Sequence, residues 1–561
     1  MAVSKIQKSN GDVLIDLTSD TVTPSALMTG YTAHDKTGAL ITGTASGGGG
    51  DGYVWQDAEG YIHLSDEEGT SISVEPLSVT QNGTYTAPTG KAYSPVTVNV
   101  DGGTPTPTPS KKWVRPSDWP DLSKMDISGG DVVYMTSYAD EARGFCSFYV
   151  ACTGNYTVEV GSISGSTFTP ESTHTYSNGS YCTLQYGSLN DAYKVLRVTG
   201  TAINKFSFLS SSAIGDLYSY SSNQGIIDVV GKLPSCTYIN FGYIYNLINV
   251  EIKGLALTSC SSAFINCYSL KHIDASDWNT SNVTNMSSMF NYCYSLTSID
   301  VSGFDTSSVT NMSSMFNYCC SLTSIDVSDW NTSSVTDMSS MFSNCRSLTS
   351  IDVSGFDTSS VTSLSNMFTS CNSLTSIDVS GFDTSSVKNM SSMFNNCYSL
   401  TSIDVSGFDT SSVTNMSSMF NYCCSLTSID VSGFDTSSVT NMSSMFNNCC
   451  SLTSIDVSGW DFTKVITAAS SAQIFYQCFG LHGSITIPST MTMIGSNCFY
   501  QCRNLYEWHF LATNPPTLSS TNAFSNMTDF GGKKIYVPAA SLEAYKTAAN
   551  WSTYASYIEG E

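Results

Sequence analysis

The sequence lacks the features that mark membrane and nucleic-acid-binding proteins. It contains no run of about 18 apolar residues, so no transmembrane helix and no membrane insertion are expected. Charged residues make up only 12% of the chain, about half the usual share. Of these, 46 are acidic and 22 are basic, which gives a net charge of −24. An acidic surface repels phosphate groups, so we expect neither nucleic acid nor an anionic membrane as a partner.

Recognisable targeting and catalytic motifs are also missing. The first twenty residues, MAVSKIQKSNGDVLIDLTSD, have no apolar core and no small-residue cleavage site, so no signal peptide is expected. The 19 cysteines are therefore expected to be free thiols in a reducing compartment. The six histidines are scattered, and no phosphate loop, paired catalytic carboxylates or G-x-S-x-G motif occurs. The sequence predicts a non-enzyme that uses no cofactor.

A strict repeat dominates the sequence instead. Residues 269–450 consist of seven near-identical units of 26 residues, and a leucine recurs at this step from Leu270 to Leu452. In one unit Leu296, Ile299 and Val301 follow the spacing L-x-x-L-x-L, which predicts a strand with these side chains inward. One unit cannot bury its apolar side chains alone, whereas stacked units can. The pattern predicts a solenoid of stacked coils.

The second half of each unit has a different spacing. Val309, Met312 and Phe316 recur every three or four residues after Asp305, which predicts a short helix with Asp305 as its N-cap. Cys319 then ends the coil, and we interpret its equivalents as buried free thiols. The repeats are thus expected to form an α/β solenoid.

The repeat also places aspartates at one position of every coil. We interpret them as a solvated acidic face, with calcium binding as the alternative. The alternative calcium ligands are Asp300, Asp326, Asp352, Asp378, Asp404 and Asp430. No other metal site is expected, because no pattern of cysteine and histidine ligands with metal-binding spacing occurs.

The flanking regions are β-rich. We predict a multidomain chain in which β-rich N-terminal modules and a β-sandwich-like domain precede the solenoid and a C-terminal helical cap. In the solenoid, Leu247, Val250 and Ile252 predict a degenerate first coil, and residues 481–537 predict looser last coils. The predicted parts are 1–45 and 51–101 (small β modules), 102–111 (Gly/Thr/Pro linker), 112–235 (β-sandwich-like domain), 236–537 (solenoid) and 538–561 (capping helix).

Variation among the repeats is concentrated around the closing turn. Tyrosine, asparagine and arginine occur there, and these residues are effective in recognition. Neutral drift at exposed turns would give the same pattern and remains the alternative. The candidate ligand-binding residues are Tyr292, Tyr294, Tyr318, Arg346, Asn372, Tyr398 and Tyr422.

Two resemblances add to this interpretation. The unit SLTSIDVSGFDTSSVTNMSSMFNYCC resembles the BspA-like leucine-rich-repeat family, whose members are often surface adhesins, which implies binding to protein or glycan. The segments VLIDLTSDTVTPSALMTGYTAHDKTGALITGT and NGTYTAPTGKAYSPVTVNV resemble N-terminal modules of bacteriophage tail and fibre proteins. The second resemblance implies attachment to other virion tail proteins through residues 1–100, with 1–45 as the attachment module.

Three functions follow as hypotheses. The first is a phage tail fibre or receptor-binding protein that is assembled in the host cytoplasm, resides in the virion and recognises a bacterial surface protein or glycan. The others are a cellular adhesin on the bacterial surface and a structural virion spacer without a receptor. Phage fibres are commonly trimers, so a homotrimer is a further expectation.

Overall fold

The computed structural model describes residues 119–139, 145–185, 192–208, 225–524 and 532–561, together with nine short strands in residues 1–118. The chain divides into two compact units, 1–117 and 118–561. In the first unit, five strands form a sheet in the order β2-β1-β7-β6-β5, and β3–β4 and β8–β9 are separate antiparallel pairs. The strands are β1 (Lys5–Gln7), β2 (Val13–Asp16), β3 (Thr32–His34), β4 (Leu40–Thr42), β5 (Tyr53–Gln56), β6 (Ile62–Ser65), β7 (Ser71–Val74), β8 (Gly83–Tyr85) and β9 (Val96–Val98). The predicted linker 102–111 lies outside the described residues.

The second unit begins with a nine-stranded sheet. Its order is β12-β11-β14-β10-β15-β17-β18, with β13 paired to β11 and β16 to β14. The strands are β10 (Asp131–Ala139), β11 (Phe145–Ser164), β12 (Thr167–Tyr176), β13 (Ser180–Gln185), β14 (Ala192–Ser207), β15 (Ile226–Lys232), β16 (Tyr238–Asn240), β17 (Asn249–Lys253) and β18 (His272–Asp274). A short 3₁₀ helix, Leu122–Lys124, precedes them.

This sheet differs from the β-sandwich predicted for residues 112–235. A sandwich has two sheets, whereas these strands belong to one sheet that continues into the solenoid. The continuation occurs because β15 pairs in parallel with β17, and β17 with β18, in the first coils. Most buried apolar side chains form one continuous cluster from Val133 to Ile558, and a second, smaller cluster includes Leu122, Val132 and Val230. The sheet therefore shares the hydrophobic core of the solenoid.

The solenoid has about 14 turns, and the predicted period sets its register. The leucines that recur every 26 residues, from Leu270 to Leu452, are fully buried, and so are Leu247, Val250 and Ile252 of the degenerate first coil. Ser298, Asp300 and Ser302 are exposed, as predicted. Burial of the repeated apolar positions confirms the stacked-coil arrangement.

The predicted helix within each repeat is wrong. In the coil that contains residues 312–318, the N–H groups of the even-numbered residues donate to carbonyl oxygens of the next coil at 2.8 to 3.0 Å. Those of Met315 and Asn317 donate to the carbonyl three residues earlier. Ser314 and Tyr318 have φ angles of 57° and 59°, a left-handed conformation that interrupts an α-helix. Turns and inter-coil hydrogen bonds therefore replace the helix.

The predicted strand forms in the first regular repeat, as β18, but not in the six regular repeats that follow it. Residues 275–482 are fully described and contain no assigned strand, although the alternation of buried Ile299 and Val301 with exposed neighbours is present. Parallel bridges occur instead at the position of Asn311 in successive coils. Most of the backbone hydrogen bonds between coils thus lie in the segment that was predicted to be helical.

Asp305 caps a turn rather than a helix. Its Oδ1 accepts hydrogen bonds from the N–H and Oγ of Ser307 at 3.0 and 2.6 Å. The adjacent Thr306 is buried, and its hydroxyl donates to the carbonyl oxygen of Asn331 in the next coil at 2.9 Å. This threonine bond recurs along the repeats and joins each coil to its neighbour.

Aromatic side chains fill the interior in rows. Twelve phenylalanine rings stack with centroids 5.4 to 5.9 Å apart, one from each successive coil. They are Phe241, Phe264, Phe290, Phe316, Phe342, Phe368, Phe394, Phe420, Phe446, Phe475, Phe499 and Phe524. Stacked rings combine apolar burial with favourable ring contacts, so the row stabilises the coil register.

The C-terminal coils regain regular strands. A parallel sheet has the order β19-β21-β23-β24, and β20 pairs with β22. The strands are β19 (Gly483–Ile487), β20 (Met493–Ile494), β21 (Leu505–Phe510), β22 (Thr517–Leu518), β23 (Lys534–Val537) and β24 (Ile558–Gly560).

The predicted C-terminal helix over 538–561 is broken into short pieces. They are the helix α1 (Leu542–Thr547) and the 3₁₀ helices Ala539–Ser541 and Trp551–Tyr557. Buried Tyr545 and Trp551 donate hydrogen bonds to carbonyl oxygens of the last coils, which anchors this cap. None of the helices in the described parts of the chain reaches the length and apolarity that a membrane span needs.

Candidate functional site

We define the closing-turn surface as the residues that immediately precede and follow the buried cysteine of each coil from Cys267 to Cys449. The preceding residues are Asn266, Tyr292, Tyr318, Asn344, Ser370, Asn396, Tyr422 and Asn448. The following residues are Tyr268, Tyr294, Cys320, Arg346, Asn372, Tyr398, Cys424 and Cys450. All seven predicted ligand-binding residues lie on this surface.

The buried cysteine anchors each closing turn. The Sγ atoms of Cys293 and its six equivalents up to Cys449 donate to a phenylalanine carbonyl oxygen of the preceding coil at 3.1 to 3.3 Å. The residues before and after each cysteine point away from the core, because the chain turns at the residue before the cysteine, whose φ lies between 58° and 63° in these coils. The side chains on either side of the cysteine therefore face the surface in most coils, where Tyr294, Arg346 and Tyr398 are exposed, whereas Asn448 is buried.

Five tyrosines of the first coils form one contiguous group, which we call the tyrosine cluster. Tyr245 stacks on Tyr268 with ring centroids 4.7 Å apart, and Tyr268 contacts Tyr294 at 5.1 Å. Tyr292 stacks on Tyr318 at 4.5 Å. Tyr294 joins these two groups, because its ring contacts the rings of Tyr292 and Tyr318 edge to face, with centroids 5.8 and 6.2 Å apart.

The structure thus brings together three of the predicted residues, Tyr292, Tyr294 and Tyr318. Sequence reasoning missed Tyr245 and Tyr268, which lie in the degenerate coils before the regular repeats. A signal was present, because Tyr268 follows Cys267 as Tyr294 follows Cys293. Aligning the degenerate coils to the repeat by their cysteines would have identified it.

The other predicted residues lie further along the surface. Tyr398 and Tyr422 form an edge-to-face pair at 6.2 Å, and the Tyr398 hydroxyl donates to the Oδ1 of Asn396 at 3.3 Å. The Asn372 amide lies 3.1 and 3.0 Å from the carbonyl oxygens of Ser370 and Asn396, so its nitrogen faces them. Exposed Arg346 lies in an intervening coil.

Two hydroxyl groups of the tyrosine cluster have a raised pKa and stay uncharged over the physiological pH range. Burial raises the pKa of Tyr294 to about 12, and the neighbouring Tyr268 hydroxyl adds to this shift. Burial likewise raises the pKa of Tyr268. The cluster therefore offers flat apolar ring faces together with the neutral hydroxyl groups of Tyr268 and Tyr294, an arrangement that suits neutral polar ligands.

The predicted acidic row has a local structural role. Asp300 Oδ1 accepts hydrogen bonds from the N–H and Oγ of Ser302 at 3.0 and 2.7 Å. These bonds lower the Asp300 pKa, whereas the neighbouring Asp274 and Asp326 raise it. In the described residues no group of three or more His, Cys, Asp or Glu side chains could hold a metal ion. The carboxylates of the alternative calcium ligands therefore do not converge on one point, whereas a calcium ion prefers about six to eight oxygen ligands around it.

The repeat region is similar to one known family. The family described as "Mycoplasma protein of unknown function, DUF285" matches residues 258–377 and 362–487, which together are less than half of the chain. No curated protein matches the chain. The matched residues include the whole closing-turn surface and all seven regular repeats.

Proposed function

We propose that the chain is a binding protein whose closing-turn surface recognises a neutral glycan or a protein on a bacterial cell. The observation that carries this proposal is the tyrosine cluster, in which residues at variable positions of otherwise near-identical coils meet at the surface. Rigid tyrosine rings lose little conformational entropy on binding and supply both apolar contact and hydrogen bonds. The net charge of −24 favours neutral or basic ligands over acidic ones.

The setting we propose is a bacteriophage tail fibre, with residues 1–100 attached to other tail proteins. Its support is the resemblance of the N-terminal segments to phage tail and fibre modules. The solenoid would then extend the binding surface away from the particle. A cellular surface adhesin would use the same surface and differs in its place of attachment.

A structural spacer is the second candidate function. The observation that favours it is the uninterrupted row of twelve stacked phenylalanines, which with the inter-coil hydrogen bonds makes a stiff support. A spacer needs no tyrosine cluster at its surface. Substitutions in the cluster therefore separate the two functions.

The test is binding of the fluorescently labelled full chain to candidate host cells. The repeats themselves supply replacements that the fold accepts, because asparagine occupies both variable positions in other coils, as Asn344 and Asn372. The variants are Tyr292→Asn, Tyr294→Asn and Tyr318→Asn, alone and combined. Each lost aromatic contact of about 1.4 kcal/mol weakens binding about tenfold.

The matched control is Tyr506→Asn, which removes a tyrosine on β21 that is about as exposed as Tyr294 and lies outside the closing-turn surface. We expect the control to bind like the wild-type chain and the triple variant to lose binding. If the wild-type chain binds cells and the triple variant binds equally well, recognition by the tyrosine cluster is refuted. If the wild-type chain binds no candidate host cell, the spacer function is favoured.

A further inference from the structure

Three cysteines differ from the rest in their accessibility. Cys320, Cys424 and Cys450 are partly exposed, whereas the other sixteen cysteines are buried. All three occupy the position that follows the buried cysteine of their coil. Cys424 and Cys450 belong to adjacent coils, whereas the neighbours of Cys320 at this position are Tyr294 and Arg346.

The backbone and the side chains bring Cys424 and Cys450 together. The N–H of Ser451 donates to the carbonyl oxygen of Cys424 at 3.2 Å, so the two coils are hydrogen-bonded at this point. Both sulfur atoms donate to one acceptor, the carbonyl oxygen of Asn448, at 3.3 Å from Cys424 and 3.4 Å from Cys450. The two thiols therefore lie side by side on the same face of the solenoid.

The two thiols also interact with each other. Their proximity lowers the pKa of Cys450 and raises that of Cys424. Thiol–disulfide exchange needs a thiolate that attacks an external disulfide, and a second thiol within reach can then displace the mixed disulfide; Cys450 and Cys424 supply these two groups. The neighbouring Cys423 and Cys449 are buried and bonded to phenylalanine carbonyl oxygens, so they do not compete for an external reagent.

We propose that Cys424 and Cys450 form a dithiol modification site that is converted to an inter-coil disulfide by a small-molecule disulfide. In the first step the Cys450 thiolate attacks one sulfur of oxidised glutathione, which releases one glutathione thiolate and forms a mixed disulfide. In the second step the Cys424 thiol loses its proton and attacks the Cys450 sulfur, which releases the second glutathione. Two protein thiols are oxidised and one external disulfide is reduced to two thiols.

The consequence of the bond is a covalent link between adjacent coils. It closes a loop of one repeat length and restricts the unfolded chain, which opposes separation of these two coils. The inference does not depend on the proposed binding function, because it rests on the geometry of the two thiols alone.

The experiment treats the full chain with oxidised glutathione, blocks the remaining thiols with iodoacetamide and maps the products by mass spectrometry without reduction. Cleavage at aspartate separates the two cysteines, because Asp430 and Asp435 lie between them. We expect a Cys424–Cys450 disulfide that carries no glutathione. Cys320 is the matched control, and without a partner thiol it is expected to retain a glutathione adduct or remain reduced.

A variant gives the complementary result. In Cys424→Ser the second step is impossible, so Cys450 is expected to retain one glutathione. The proposal is overturned if the wild-type chain keeps glutathione on either cysteine without a link. It is equally overturned if both cysteines remain alkylatable after treatment. The wild-type result decides the matter even where the variant fails to fold.

Discussion

Replacing the buried Cys371 with alanine is expected to destabilise the solenoid at neutral pH but not at about pH 10. Cys371 is fully buried, and burial raises its pKa well above the usual value, with smaller contributions from Cys397 and Cys345. A group whose pKa is raised in the folded state contributes stability that is complete below its unfolded pKa and is lost as the pH rises above it. At high pH the thiol ionises in the unfolded chain, whereas in the folded chain burial keeps it protonated.

The size of the effect follows from the ionisation of the thiol in the unfolded chain. With an unfolded pKa of about 8.5, ionisation at about pH 10 stabilises the unfolded chain by about 2 kcal/mol per buried cysteine. At neutral pH, Cys371→Ala removes the hydrogen bond to the Phe342 carbonyl oxygen, 3.2 Å from Sγ, and leaves a small void. That loss costs about 1–2 kcal/mol. The two effects are similar in size, so the difference between variant and wild type should vanish or reverse at about pH 10.

The assay is urea unfolding followed by far-UV circular dichroism, with a reductant present, at several pH values from about 7.5 to 10. The control is Ile377→Val in the next coil, which removes one buried methyl group and does not titrate. Its destabilisation of about 1 kcal/mol should be independent of pH. A Cys371→Ala deficit that stays constant across this range would refute the argument that burial keeps the thiol protonated.

Three further predictions concern the bonds within and between coils. Asp383→Asn should preserve the turn to Ser385 and reduce the loss of thermal stability below about pH 4. The hydrogen bonds from Ser385 lower the pKa of Asp383, so the stability that its carboxylate contributes disappears as the pH falls. Asp383→Ala should destabilise the chain at neutral pH in the same melting assay. Thr384→Val removes the hydroxyl that donates to the Asp409 carbonyl oxygen and should cost about 1–3 kcal/mol in urea unfolding, whereas Thr384→Ser should cost less. Ser418 has a φ of 56°, so Ser418→Val should cost more than about 1 kcal/mol, whereas Ser418→Gly should be nearly neutral; equal effects of the two would contradict left-handed strain.

The period of the repeat determines burial but not backbone conformation. A spacing such as that of Leu296, Ile299 and Val301 identifies the inward side chains whether or not their backbone forms a strand. The hydrogen-bonded ladder lies instead near residues 312–318, where two residues per coil adopt a left-handed conformation. One of them is a serine in most coils, and serine carries no strong signal for that conformation. Sequence spacing alone therefore suggested a helix.

The candidate site was predictable to the extent that the repeats can be compared with one another. Variation among units identified Tyr292, Tyr294 and Tyr318, and the constant register then placed them side by side. Tyr245 was missed because its coil departs from the period: it precedes Tyr268 by 23 residues rather than 26. The contact between Cys424 and Cys450 also follows from the register, but their shared acceptor, the carbonyl oxygen of Asn448, could not be predicted from the sequence.

The closing turn separates the residues that hold the fold from those free to recognise a ligand. Tyr318, Asn344 and Ser370 differ in size and chemistry, yet each has a φ of 58° to 60° and donates its N–H to the next coil at 2.6 to 2.8 Å. The backbone links the coils at this position, and the buried cysteine beside it fixes the turn, so the side chain is not needed for either task. Exchange of Tyr318 and Asn344 should therefore leave the stability nearly unchanged while moving a ring out of the tyrosine cluster. If the exchange unfolded the chain, side-chain identity at this position would serve the fold, and its variation could not be attributed to recognition.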